Sequence, residues 1–234
     1  MNWVCIVIGL LFLICFFVGW AQGLFKVLIS VAGLIASIIV AVYVAPNVSG
    51  YLEEHTDLDD KVAAYITEEL RFSEVGEETS KAVQVEVINE LPISETLKSN
   101  ILNNNNSEMY SALDATGVYE YIAKSMAVVI LNAAVFVVLV AVCRVFFATL
   151  GKAVQGLTKL PIIRSVDKIG GGVLGGMRGL IIIWFLFLLL SITSTSEISQ
   201  EIITSICQFP LFKLLYDNNL LLDIVGDLTR VLFL

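Results

Sequence analysis

Arg178 poses the sharpest chemical question in this chain. It is the second-to-last residue of the segment DKIGGGVLGGMRG, residues 167–179, and is the one charge inside the apolar stretch Ile169 to Thr193. Three readings are open for it. It can snorkel to headgroups from about one turn inside a boundary, contact an anionic lipid or partner, or line a polar path. Gly171, Gly175 and Gly179 stand at i, i+4 and i+8, with Gly172 and Gly176 as an adjacent ridge. Small residues at this spacing let two helix backbones approach closely. At 100° per residue, Asp167, Gly171, Gly175 and Arg178 fall within about 80° of one another, so the charge is expected to point along the glycine groove. A leucine at Gly175 should force the helices apart, whereas an alanine should be nearly silent. Asn132 is the other strongly polar residue deep in an apolar run, and is expected to be interhelical glue.

Other chemistry has little raw material. His55 is the sole histidine and lies among acids, so it is read as a solvated side chain. Cys5, Cys15, Cys143 and Cys207 have no CxxC spacing and read as small apolar fillers; a Cys5–Cys207 disulfide near the outer surface is the less favoured alternative. Gly170 to Gly179 is glycine-rich, but has no GK[ST] ending and no preceding strand, which excludes a nucleotide cradle. A net charge of −8 without a basic, aromatic-interleaved patch excludes nucleic acid as a partner. No catalytic residue, metal ligand or cofactor site is expected, and the chain is read as non-enzymatic.

The elements that must position these residues are membrane helices. Of the 234 residues, 57% are hydrophobic and 15% charged. The apolar ones form long uncharged runs, which excludes a soluble globular or disordered chain. A bilayer core about 30 Å thick needs roughly 20 apolar helical residues. Four segments qualify: Trp3 to Trp20, Leu24 to Ala45, Ser125 to Cys143 and Ile169 to Thr193. The first has no basic residue before Lys26 and is read as a retained helix rather than a cleaved signal. The second is expected to stop at Pro46. The fold class is thus all-α, four transmembrane helices in two hairpins with a small helical extracytoplasmic module.

The predicted organisation is a hairpin over 1–46, an acidic outer module over 47–121, a second hairpin over 122–193 with helices at about 122–146 and 169–193, and an amphipathic tail over 194–234. Arg144, Lys152, Lys159, Arg164, Lys168 and Arg178 surround the second hairpin's loop against the single acid Asp167, which predicts that this loop is cytoplasmic and both termini are outside. Pro46 to Tyr121 holds four basic residues against sixteen acidic ones, a net charge of −12. Leu58, Val62, Tyr65, Ile66 and Leu70 give it a helical stripe. Val83, Val85 and Val87 fit a helix or a strand, Pro92 closes that segment, and Ser94 is a predicted N-cap. In the tail, Leu221, Leu222, Val225, Leu228 and Leu232 line one face of a helix too charged to span, either interfacial or folded onto the acidic loop. Gly19, Gly23 and Lys26 repeat the spacing of Gly171, Gly175 and Arg178, which suggests two hairpins related by a pseudo-twofold axis, with chance matching the alternative.

Asn2-Trp3, the Gly19, Gly23, Lys26 turn, and above all Asp167-Lys168 followed by Gly171, Gly175 and Arg178-Gly179 resemble the colicin V production protein (CvpA) family of small bacterial inner-membrane proteins. The resemblance covers the four-helix plan. Cys5 stands where the family commonly has an acid, and the loop from Pro46 to Tyr121 is longer than in compact members, as an added outer module would make it. The resemblance implies a role in toxin production or export and in envelope maintenance, with the lipid bilayer, other copies of the chain or other envelope proteins as partners. The alternative is a small oligomeric channel or transporter built around Asp167, Arg178 and Asn132.

Overall fold

A computed structural model describes residues 3–70, 81–91, 93, 95–157 and 164–232. Among these residues it contains helices and no strand. Four helices are long and apolar enough to cross a membrane: α1 (Trp3–Gln22), α2 (Leu24–His55), α7 (Val118–Leu157) and α8 (Arg164–Ile192). Between them lie α3 (Leu58–Glu69), α4 (Lys81–Glu90), α5 (Glu95–Asn103) and α6 (Ser107–Ala112); α9 (Glu197–Cys207), α10 (Pro210–Asp217) and α11 (Leu220–Leu232) follow. The chain divides into two units, residues 1–44 with 136–186, and residues 45–135 with 187–234.

Three boundaries differ from the sequence expectation. Helix α2 does not stop at Pro46 but continues to His55. A mid-helix proline forfeits one hydrogen bond. It is outweighed here by a buried stripe, Ala41, Ala45 and Ser49 at i, i+4 and i+8, that carries the packed face straight through the proline. Helix α7 runs on to Leu157, well past Arg144. Arg144 lies within the helix, and its Nη2 donates to Ser30 Oγ of α2 at 2.9 Å, which gives one guanidinium N–H a protein partner. Helix α8 starts at Arg164, which puts Asp167 inside its first turn.

In the first unit, α1 lies antiparallel along α8, with Cys15 facing Gly179 and Gly19 facing Gly175. Gly33 of α2 lies against Phe147 of α7, and Gly151 of α7 against Ile29 of α2. Phe136 of α7 stacks on Phe185 of α8 with ring centroids 6.1 Å apart. The outward face of α1 remains bare and apolar: Ile14 is 60% and Phe17 62% exposed. Such a surface has no place in water, and a bilayer covers it.

The second unit is helical, and its strand-like valines fall in α4. Ile88, Leu97 and Ile101 are buried, as are Leu221, Leu222 and Val225 of α11, which packs against α5. The tail therefore folds onto the acidic segment, the second of its two readings. Tyr121 Oη donates to the Ile101 carbonyl at 2.8 Å inside this core. Asn106 caps α6 and Ser196 caps α9 through their side-chain oxygens. Pro92, Ser94, Asn2 and Lys159 lie outside the described residues.

Candidate functional site

The close approach of α1 and α8 begins with residues that have no side chain to keep them apart. A Cβ on Gly175 would stand 2.5 Å from the Cys15 carbonyl oxygen and 2.9 Å from Gly19 Cα. One on Gly171 would stand 2.5 Å from the Gly19 carbonyl oxygen and 2.8 Å from the Gly23 carbonyl carbon. One on Gly179 would meet Cys15 Cβ at 2.9 Å. The neighbours of Gly171 and Gly175 are main-chain atoms, which cannot swing aside. This corrects the expectation for Gly175→Ala: a single methyl group already collides with the backbone. The adjacent ridge is less tight, with Gly172 against Phe16 and Trp20 and Gly176 against Phe12, all side chains at 3.1–3.3 Å.

The turn between α1 and α2 is one residue, Gly23, at φ +83°. Only glycine takes that conformation without strain. It presents the start of α2 to Asp167, whose Oδ1 accepts from the Leu24 backbone N–H at 2.8 Å. Four N–H groups at a helix start lack intrahelical partners and carry a partial positive charge, so a carboxylate there is favourable. Asp167 thus acts as an N-cap for a helix 143 positions earlier in the chain. It belongs to the Gly23 turn rather than to a polar line shared with Arg178.

The two glycine sets meet each other instead of occupying equivalent places. Gly23 separates two helices, whereas Gly171 and Gly175 lie within α8. The matching spacing therefore does not correspond to matching local structure, as a hairpin repeat requires. Lys26 is exposed on α2 and Lys168 exposed on α8.

Arg178 lies at the level of Arg144. Its Nε is buried and has no hydrogen-bond partner. Gly33 of α2 packs close to Arg144, whose Nη1 would lie 3.6 Å from a Cβ there, with Phe147 Cβ at 3.3 Å. Within residues 1–44 and 136–186 the only acid is Asp167, already engaged at Leu24. Sequence reasoning placed Arg144 at the end of a span. The signal that reveals it as internal is the apolar run resuming at once in Val145, Phe146, Phe147 and Ala148.

Asn132 is 1% exposed and belongs to the other unit, so Asp167, Arg178 and Asn132 do not form one polar line within either unit. His55 stacks on Tyr51, ring centroids 4.1 Å apart, and its Nδ1 lies 3.0 Å from the Tyr51 carbonyl oxygen. None of the four cysteines forms a disulfide, and Cys5 and Cys207 belong to different units.

The family model described as Colicin V production protein matches residues 4–72 and 110–213. The chain belongs to the colicin V production protein family. The match takes in α2, α3, α7, α8, α9 and nearly all of α1. What it leaves between its two parts, residues 73–109, falls inside the acidic loop and carries α4 and α5. The Gly23 turn, Asp167, the α8 glycines, Arg144 and Arg178 all lie in the part this member shares with the colicin V production family. No curated protein and no solved structure matches the chain.

Proposed function

We propose that this protein is a non-enzymatic multi-pass component of the bacterial inner membrane that supports toxin production or export and envelope homeostasis. Membership of the colicin V production family carries the reading. Four apolar helices and a bare apolar face on α1 support the membrane placement. In this reading the clasp of α1 and α8 is a scaffold, and the acidic helices and the tail are the surface offered to other envelope proteins. Removing the gene should increase sensitivity to envelope stress or reduce secretion of exported peptides. An unchanged phenotype in both assays would rule the reading out.

The proposed topology has both termini extracytoplasmic and the basic stretch between α7 and α8 cytoplasmic. Six basic residues against one acid around that stretch support it. A cysteine placed at Lys159 in a cysteine-free variant should react with an impermeant reagent only after the cells are opened. Labelling in intact cells would invert the topology.

A further inference from the structure

We infer that Arg144 and Arg178, with Ser30 beside them, form a binding site for a phosphate-type oxyanion between α2, α7 and α8. The placement follows from the helix geometry. Helices α7 and α8 are antiparallel and meet where Phe136 stacks on Phe185. Arg144 is eight residues further along α7, and Arg178 is seven residues back along α8. At 1.5 Å per residue these are displacements of about 12 Å and about 10 Å in the same direction, so the two arginines stand at one level on the two helices.

Two cations held together inside apolar helices require counter-charge. The first unit contains no acid to supply it except Asp167, and Asp167 accepts from Leu24 N–H at the start of α2. Ser30 receives one Arg144 N–H but carries no charge. Arg178 Nε–H is buried and points at no acceptor. The two arginines therefore have no free counter-charge within the unit, while the Arg178 Nε donor remains unused. A tetrahedral oxyanion answers each of these demands, because it brings negative charge and several acceptor oxygens to planar guanidinium forks. Basic pockets between membrane helices take phosphate headgroups for the same reason. The chemistry is shared by an anionic phospholipid headgroup and a free phosphate, and the experiment separates them.

Full-length protein is reconstituted in phosphatidylcholine vesicles, in the same vesicles with added phosphatidylglycerol, and in phosphatidylcholine with inorganic phosphate replacing chloride at equal ionic strength. Thermal unfolding is followed in each. Phosphatidylglycerol, or phosphate if the ligand is the free ion, should raise the unfolding temperature of the wild type. The Arg144→Gln/Arg178→Gln protein should lose most of that rise, with apparent affinity for the effective anion down roughly tenfold or more. A Lys26→Gln/Lys168→Gln protein, which loses the same charge at exposed positions, should keep most of it. If the double arginine variant does not fold, Arg178→Lys takes its place. It keeps the charge but loses the Nε donor and the fork, and should bind more weakly than wild type. The site is overturned if neither anion stabilises the wild type, if the lysine control loses as much as the arginine variant, or if Arg178→Lys binds as wild type does.

Discussion

The Asp167 carboxylate and the Leu24 backbone N–H, 143 positions apart, are joined by a 2.8 Å hydrogen bond that fastens the start of α8 to the start of α2. Removing an N-capping carboxylate costs about 0.5–2 kcal/mol. Asp167→Ala should destabilise the protein by that amount. Asp167→Asn keeps an acceptor oxygen and should cost less. Detergent unfolding curves for the two variants check this, and equal stability of wild type and Asp167→Ala would show that the bond contributes nothing.

Gly175→Ala separates propensity from packing. In an open helical position, glycine to alanine gains about 0.5–1 kcal/mol. At Gly175 the new methyl group meets backbone at 2.5 and 2.9 Å, and overpacking typically costs about 1–3 kcal/mol. Gly175→Ala should therefore lower stability, and Gly175→Leu should lower it further. Gly9 of α1 has nothing within 4 Å of its Cβ position, so Gly9→Ala should be neutral or stabilising. The opposite ordering of the two alanine variants in thermal unfolding would refute the close approach of α1 and α8.

Pro46 lies within α2, where a proline removes a backbone donor at a cost of about 3 kcal/mol in an ordinary helix interior. Pro46→Ala restores the donor without changing the buried stripe of Ala41, Ala45 and Ser49. It should raise the unfolding temperature and leave the helical content seen by circular dichroism unchanged or slightly higher. A fall in stability would mean that the proline is required rather than tolerated.

Tyr216 is buried against Phe187, and its hydroxyl lies 3.3 Å from Ser191 Oγ. Burial pushes the phenol up to about 12, partly offset by the Ser191 hydrogen bond. In the unfolded chain it titrates near 10. Between these values the unfolded state has released the proton and the folded state has not. Stability is therefore full below about pH 10 and falls as pH rises toward 12. Tyr216→Phe should flatten that alkaline loss, at a neutral-pH cost of about 0.5–1.5 kcal/mol for the hydrogen bond. Unfolding measured against pH for both proteins decides it, and parallel curves would exclude Tyr216 as the group responsible.

Four apolar runs separated by charged stretches are enough to read this protein as a helical membrane protein, because crossing a bilayer imposes length and composition directly on the chain. The glycine spacing in residues 171–179 likewise reveals a surface capable of close packing, since only the size of each residue matters there. Partners are another matter. That Gly175 faces the backbone of Cys15 and Gly19, that Asp167 reaches Leu24, and that Arg144 shares a level with Arg178 depend on how separate helices pack. Helical periodicity gives each residue a direction around its own axis and no information about what lies in that direction. Pro46 and Arg144 make the same distinction at helix ends. Local rules stop a helix at Pro46 and an uncharged run at Arg144, yet the buried stripe of α2 runs through the first and Arg144, bonded to Ser30, lies inside α7.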